Sequence, residues 1–417
     1  MTTNPVTGPV PTMTRTPSIG PHLSRRDLIA AAVGAGLTVP LGPGGAASAA
    51  GPHGSGPHAA GPGRMVLPAP TGPYPIGTVA LHLVDRSRPD PVAGPGHYRE
   101  LMVSVWYPAR DVARHPRAVW LSDPLLRGLL ELNEIPSGPV GAPPITAGHV
   151  GAPVRPLGGR LPVVVFSPEA HDQRADTTIV VQELASHGYL VVTVDHTYDA
   201  FVEFPDGRRL APLDGDHILG ARDFAADIPY VLDCIGRLAA GRNPDADGKP
   251  LPGGLRGAPD PRRIGMFGTS KGGTATALLM GMDTRVRAGL SLDGPMEPLV
   301  TTDLDRPFML MTAEFTRATA PVAQFWSHLT GWRLNLQADG AAHNAYNDYQ
   351  FLLPQIADAI GASDEDLRTW IGTLDPRRAV HIQQAYPLAF FDLHLRHRRR
   401  RLLEGPSRAF PEVRFLP

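Results

Sequence analysis

Residues 263–273, Arg-Ile-Gly-Met-Phe-Gly-Thr-Ser-Lys-Gly-Gly, decide how this 417-residue chain is read. The segment opens as a buried-looking strand, Arg263 to Gly268, and passes straight into a helical pattern, Gly272 to Met282. Between them Gly268, Ser270 and Gly272 stand in the spacing G-x-S-x-G. The reason for that spacing is steric. A serine lifted on a sharp strand-to-helix turn needs small residues two positions away on each side, so that strand and helix can approach. The same turn aims the next backbone N–H, that of Lys271, at a negative charge developing on a carbonyl oxygen. A phosphate-binding loop is the rival reading, but its pattern G-x-x-x-x-G-K-[ST] has other spacing and sets the lysine before the hydroxyl residue.

Outward from this turn, strand-like and helical runs alternate. Thr78 to Val84 and Leu101 to Tyr107 read as two early strands joined by a Pro/Gly-rich turn. Residues 110–160 read as an irregular excursion. Leu161 to Phe166 (LPVVVF) is a continuous apolar run of the kind buried on both faces. Then come a helix at Thr177 to His187, a strand at Tyr189 to Val194, and a long amphipathic helix at Ala221 to Leu238. Past the turn, strands are expected at Ala288 to Leu292, Pro307 to Thr312 and Leu334 to Gln337, with a last helix at Phe390 to Leu403. Such alternation implies right-handed βαβ units. The expected architecture is an α/β-hydrolase fold, with a mostly parallel central sheet, helices on both faces and a single catalytic domain.

A serine hydroxyl on such a turn needs a base, and the base needs an acid to orient it. In this fold the chain order is Ser, then Asp or Glu, then His. Asp293 follows the strand ending at Leu292, so it lies at the strand's C-terminal end, where the acid belongs. Asp283 falls at the far end of the helix after Ser270, and Asp305 would enter a strand from the wrong end. For the base, His343 occupies the loop after the last strand, whereas His381 lies in a helical stretch where packing or solvation explains it. The second oxyanion donor should come from the loop after Phe166, Ser-Pro-Glu-Ala-His-Asp, with the Ala170 N–H as candidate. An ionised Glu169 aimed at the oxyanion would oppose catalysis, so its side chain is expected to point away.

Composition narrows the class. Hydrophobic residues at 42% and charged residues at 19% suit a folded globular protein, and a net charge of -1 gives no electrostatic footprint for nucleic acid. The basic run Arg396 to Arg401 reads as the solvated end of the last helix, with docking to anionic lipid as the functional alternative. A single cysteine, Cys234, excludes an intrachain disulfide.

At the N-terminus, Arg25 and Arg26 precede a weakly apolar stretch ending near Leu41, and Ala47-Ser48-Ala49 has the small-residue form of a cleavage site. Residues 1–50 therefore resemble a twin-arginine export signal, residues 51–66 a flexible linker, and residues 67–417 the catalytic domain. A route that exports folded protein is consistent with the lack of disulfides. Secretion is expected, and no later segment is long enough to cross a membrane.

In order along the chain, PTGPYPIGTVALHLVDRSRPDP, RELMVSVWYPA, LPVVVFSP, ELASHGYLVVTVDHTYDA, the serine turn, LSLDGPM, AAHNAYNDY and EGPSRAFPEVRF resemble the bacterial branch of the platelet-activating-factor acetylhydrolase family. The resemblance implies a calcium-independent serine esterase that cleaves short-acyl, acetyl-type esters, with phospholipid sn-2 acetyl groups as the name-giving substrate; reaction through an acyl-enzyme without cofactor or metal is expected. Ser270, Asp293 and His343 match its triad; Ala170 and Lys271 match its oxyanion donors. The implied partners are small-molecule or lipid esters, with transient contact to lipid surfaces. Two departures bear on the substrate. Lys271 stands where an apolar or aromatic residue is common, and Pro168-Glu169 replaces a His-Gly or Pro-Gly pair. Lys271 is accordingly expected to favour anionic substrates. Trp326 and Trp332 are expected in the core, with an acyl pocket as their alternative. The rival readings of the whole chain are a broader lipase or polyester hydrolase with the same triad, and a binding protein on a hydrolase fold.

Overall fold

The alternation resolves into one large sheet. A computed structural model describes residues 65–135, 140–213 and 219–417 of the chain. Its first half runs β1 (Ile76–Asp90), β2 (Gly94–Pro108), β3 (Arg117–Val119), α1 (Asp123–Leu132), β4 (Ile145–Val150), β5 (Leu161–Ser167), α2 (Thr178–Ser186) and β6 (Leu190–Asp195). A short hairpin, β7 (Val202–Glu203) and β8 (Arg209–Leu210), leads to α3 (Ala221–Ala239), β9 (Pro259–Thr269), α4 (Lys271–Met282) and β10 (Val286–Leu292). The remainder is β11 (Phe308–Thr312), α5 (Ala320–Ser327), β12 (Arg333–Ala338), α6 (Tyr349–Ile360), α7 (Asp364–Ile371), α8 (Pro376–Arg396) and β13 (Val413–Leu416).

The strand order is β13-β12-β11-β10-β9-β5-β6-β2-β1-β4-β3. From β6 to β12 every neighbouring pair is parallel. The hairpin β1–β2 and the terminal β13 join antiparallel. Strand β5 shows why the centre holds. All seven of its residues are buried, Val163 and Val165 on the face packed by α3 and α4, Val164 and Phe166 on the face packed by α2 and α8. Period-two alternation with both faces covered lets each such side chain contribute roughly 1.5–3 kcal/mol of burial. Helix α3 buries Phe224, Ile228, Val231, Ile235 and Leu238 at helical spacing, and Asp223 Oδ2 accepts the Gly220 N–H at its start.

Three expectations are corrected. The 110–160 excursion contains α1 and two strands that extend the sheet past β1. Its prolines and glycines hide them: β4 pairs with β1 over three positions and β3 is three residues long. The last helix begins at Pro376, well before Phe390, because Asp375 caps it by accepting the Arg377 and Arg378 N–H groups ahead of a helix-compatible proline. It ends at Arg396, with His397 in the left-handed conformation. Finally, Met65 and Val66, assigned to the linker, already belong to the folded unit. Met65 is buried and Val66 exchanges backbone hydrogen bonds with the Gln355 amide. The export signal and the rest of the linker lie outside the described residues. Among those described, no helix is long and apolar enough to cross a membrane.

The basic run is partly spent on structure. Arg396 stacks on Tyr189 and pairs with Asp392, which Arg400 also contacts. Arg399 pairs with Glu404. The Arg317 and Arg333 guanidiniums both lie over the Trp326 ring, and Trp332 packs against Phe390 and His394.

Candidate active site

Ser270 occupies the junction of β9 and α4 with φ 50° and ψ -116°, a conformation disfavoured for a residue with a side chain. The surroundings enforce it. A Cβ added to Gly268 would lie 2.2 Å from the Gly272 backbone, and one added to Gly272 would lie 2.1 Å from Ser167 O and 2.5 Å from Pro168 O. Strand, helix and the loop after β5 thus meet at van der Waals limits around the serine. Its N–H donates to Leu292 O at 2.9 Å, which ties the turn to the end of β10.

One residue further along β10, Asp293 is buried and also has positive φ. Its carboxylate is caged. Oδ1 accepts the N–H groups of Ala313 (2.7 Å) and Phe315 (3.0 Å), and Oδ2 accepts that of Glu314 (3.2 Å) and His343 Nδ1–H (2.7 Å). Because the carboxylate can only accept, Nδ1 carries a proton and Nε2 is the nitrogen left to gain or lose the second one. The His343 N–H donates to Glu314 Oε1 at 3.0 Å, and its ring meets Phe315 edge-on at 5.3 Å. His381 is exposed on α8, so it does not compete as the base. Ser270 Oγ is not hydrogen-bonded to His343. Such contacts commonly tighten only when substrate is bound.

Ala170 lies in the loop after β5 and Lys271 in the first turn of α4, two segments in contact through Gly272 and the Ser167 and Pro168 carbonyls. Neither N–H donates to a protein acceptor among the described residues. They are therefore available to a ligand oxygen.

A family profile described as "Platelet-activating factor acetylhydrolase, isoform II" matches residues 253–401, a span that holds Ser270, Asp293 and His343. A curated protein of Arthroderma benhamiae, named "Probable 1-alkyl-2-acetylglycerophosphocholine esterase", is 28% identical over 385 residues, covering 84% of this chain and 94% of that protein. Among solved structures, the ferulic acid esterase from Streptomyces cinnamoneus is 36% identical with a TM-score of 0.69, over 85% of this chain and all of the other. The profile match and the curated relative support a platelet-activating-factor acetylhydrolase-like family for this chain. It is a carboxylic ester hydrolase on the α/β-hydrolase fold.

Two features of this acetylhydrolase-like site depart from expectation. Glu169 does not point away. Its Oε2 lies 3.8 Å from His343 Nε2 and has no hydrogen-bond partner. Burial raises the Glu169 carboxyl above its usual range; His343 opposes the rise, and Asp293 and Glu314 add to it. Burial alone would push the His343 imidazolium down. The Asp293 hydrogen bond, with the charges of Glu169, Asp293 and Glu314, outweighs it and holds the group up at about 9. Lys271, in turn, does not offer a free charge to substrate. Its Nζ donates to Asp199 Oδ2 at 2.6 Å and to Leu219 O at 2.7 Å, and sits 4.9 Å above the Phe224 ring.

Sequence reasoning also missed a fully buried relay beneath the site. Ser167 Oγ donates to His196 Nε2 at 2.9 Å, His196 Nδ1 donates to Asp227 Oδ2 at 2.9 Å, and Arg99 holds Asp227 with two hydrogen bonds. The signal was present in Asp195-His196-Thr197-Tyr198-Asp199, a polar cluster at the end of a mostly apolar, fully buried strand. With Ser167 and His196 inaccessible to solvent, this second Ser–His–Asp arrangement holds structure and meets no substrate.

Proposed function

We propose that the protein is an exported serine esterase that removes short, acetyl-type acyl groups through an acyl-enzyme, with esters of the 1-alkyl-2-acetylglycerophosphocholine kind, and so lipid breakdown, as its leading substrate class. The observation that carries this is the 2.7 Å hydrogen bond from His343 Nδ1 to a caged Asp293, next to a serine on a strained glycine-flanked turn. In this reading Ser270 Oγ attacks the ester carbonyl while His343 Nε2 takes its proton. Asp293 keeps the ring oriented and stabilises the imidazolium. The N–H groups of Ala170 and Lys271 receive the oxyanion. His343 then returns the proton to the leaving alcohol, and a water repeats the sequence on the acyl-enzyme. Export rests on the paired arginines and the small-residue site before residue 50.

A second reading, a wider esterase that accepts bulkier or aromatic acyl groups, is supported by the likeness to the ferulic acid esterase along its full length. One set of measurements addresses both. A fluorophosphonate probe should label wild type at Ser270 and leave Ser270→Ala unlabelled; labelling elsewhere rules out the mechanism. The ratio of kcat/KM for p-nitrophenyl acetate to that for p-nitrophenyl decanoate and methyl ferulate then separates the two substrate classes.

A further inference from the structure

Asp199 is almost wholly buried, at 1% exposure, and each of its carboxylate oxygens is used. Oδ1 accepts the N–H of His171 at 2.7 Å, and Oδ2 accepts Lys271 Nζ at 2.6 Å. His171 is the residue after Ala170, and Lys271 is the residue after Ser270. One side chain thus grips both segments from which the oxyanion donors are drawn. We propose that Asp199 and Lys271 form a clamp that sets the spacing of the oxyanion hole, as positioning residues for acyl transfer. This inference rests on the esterase reading above.

The clamp is itself anchored. The N–H groups of Asp199 and Ala200 donate to His196 O at 2.9 and 3.0 Å, so the Asp199 turn hangs from His196. That imidazole is fixed by Ser167 on one side and Asp227 on the other, and it stacks on Phe224 at 3.7 Å. Lys271 Nζ covers the same Phe224 ring and reaches Leu219 O. Ser167 is the last residue of β5, immediately before the loop that carries Ala170. The base of the loop, its middle and the start of α4 are therefore bound into one polar network.

Two physical demands explain the arrangement. The loop has positive φ at His171, and it contains no glycine to relax that strain. A charge-assisted bond to its N–H holds the conformation. An ammonium next to the nucleophile would also hold substrate anions in unproductive poses if it were free. Paired with Asp199 its own charge is neutralised, and its methylenes and ammonium serve geometry.

The test measures kcat, KM and the inhibition constant of an alkyl boronic acid, which forms a tetrahedral adduct on the serine. The proteins are wild type, Ser270→Ala, Lys271→Met, Lys271→Arg and the double variant Lys271→Met/Asp199→Asn. Turnover of wild type and the Lys271 and double variants is counted per serine titrated with fluorophosphonate, so a partly unfolded sample does not imitate a catalytic loss, and that of Ser270→Ala is counted per mole of protein with a native thermal melt. The expected result is a fall in kcat of about 10²–10³-fold for Lys271→Met, the loss typical of one oxyanion donor. KM should stay within about threefold, and the boronate constant should rise by the same factor as kcat falls. Lys271→Arg should recover most of the loss. The double variant carries no bare carboxylate and should remain slow, because the link between loop and helix is still missing. Wild-type turnover in the double variant overturns the clamp, as does a loss confined to KM. If Ser270→Ala hydrolyses the ester like wild type, the reading of the site fails as a whole. If Ser270→Ala is inactive while both clamp variants match wild type, the clamp alone fails.

Discussion

Glu169 Oε2 lies 3.8 Å from the Nε2 of His343, on the nitrogen that Asp293 leaves free. The base is therefore flanked by carboxylates at both ends of its ring. In the proposed mechanism the imidazole becomes positively charged as Ser270 attacks, and a second carboxylate favours that state. In the resting enzyme the same field retains a proton on the base, where it blocks attack. The balance between these effects sets the working pH.

The pH profile should show it. Only the neutral imidazole accepts the serine proton, and the His343 group is held up at about 9. In wild type kcat/KM should therefore climb as pH rises toward 9. Glu169→Gln removes one charge that sustains the proton, so the rising limb should move to lower pH and kcat/KM at pH 7 should increase severalfold. An unmoved limb, measured from pH 5 to 10 with a neutral ester, excludes Glu169 from this role.

Asp293 has two separable jobs. In Asp293→Asn the amide oxygen still accepts the N–H groups of Ala313 and Phe315, while the amide nitrogen faces the Glu314 N–H and His343 Nδ1, so the His343 tautomer is no longer enforced; kcat should drop by on the order of 10⁴ with only a small fall in melting temperature. Asp293→Ala strips the acceptor from three N–H groups at once. Each orphaned donor costs roughly 1–3 kcal/mol, so this variant should also melt several degrees lower. Paired kinetics and thermal melts distinguish the two.

Glycine substitutions should divide by location. Gly272→Ala drives a methyl group to 2.1 Å from Ser167 O and should abolish activity or soluble expression. Gly236 lies inside α3 with nothing within 4 Å of its added Cβ, so Gly236→Ala should raise unfolding stability by about 0.5–1 kcal/mol without altering kcat. Denaturant titration and esterase assays check both.

The loop after β5 also stores acid. Asp176 is wholly buried, with Oδ2 unpartnered, and burial, followed by the charges of Asp172 and Glu169, holds its carboxyl well above the usual range. A carboxyl whose pKa is higher folded than unfolded lends stability that is complete below its unfolded pKa and drains away as pH rises through the folded value. Wild type should therefore melt lower at pH 8.5 than at pH 5, and Asp176→Asn should reduce that difference. A wild-type melting temperature that rises over this interval contradicts the sign.

The serine turn at Ser270, the placement of Asp293 at a strand end ahead of a later histidine and the alternation of strands and helices were legible in the sequence alone, because each is a local demand. Small residues must flank a sharp turn, strands buried on both faces must be continuously apolar, and the acid must follow a strand. What stayed hidden were relationships between distant positions. Lys271 reads as a substrate-facing cation until the fold brings Asp199, 72 positions earlier, to its Nζ. Glu169 reads as a side chain that must turn away until His343 arrives beside it. Strands β3 and β4 escape notice because they are short and set among prolines and glycines. Propensity and sterics act over a few residues and leave a pattern in the chain. Where a charged side chain points depends on which partners the whole fold delivers, and only the tertiary structure decides that.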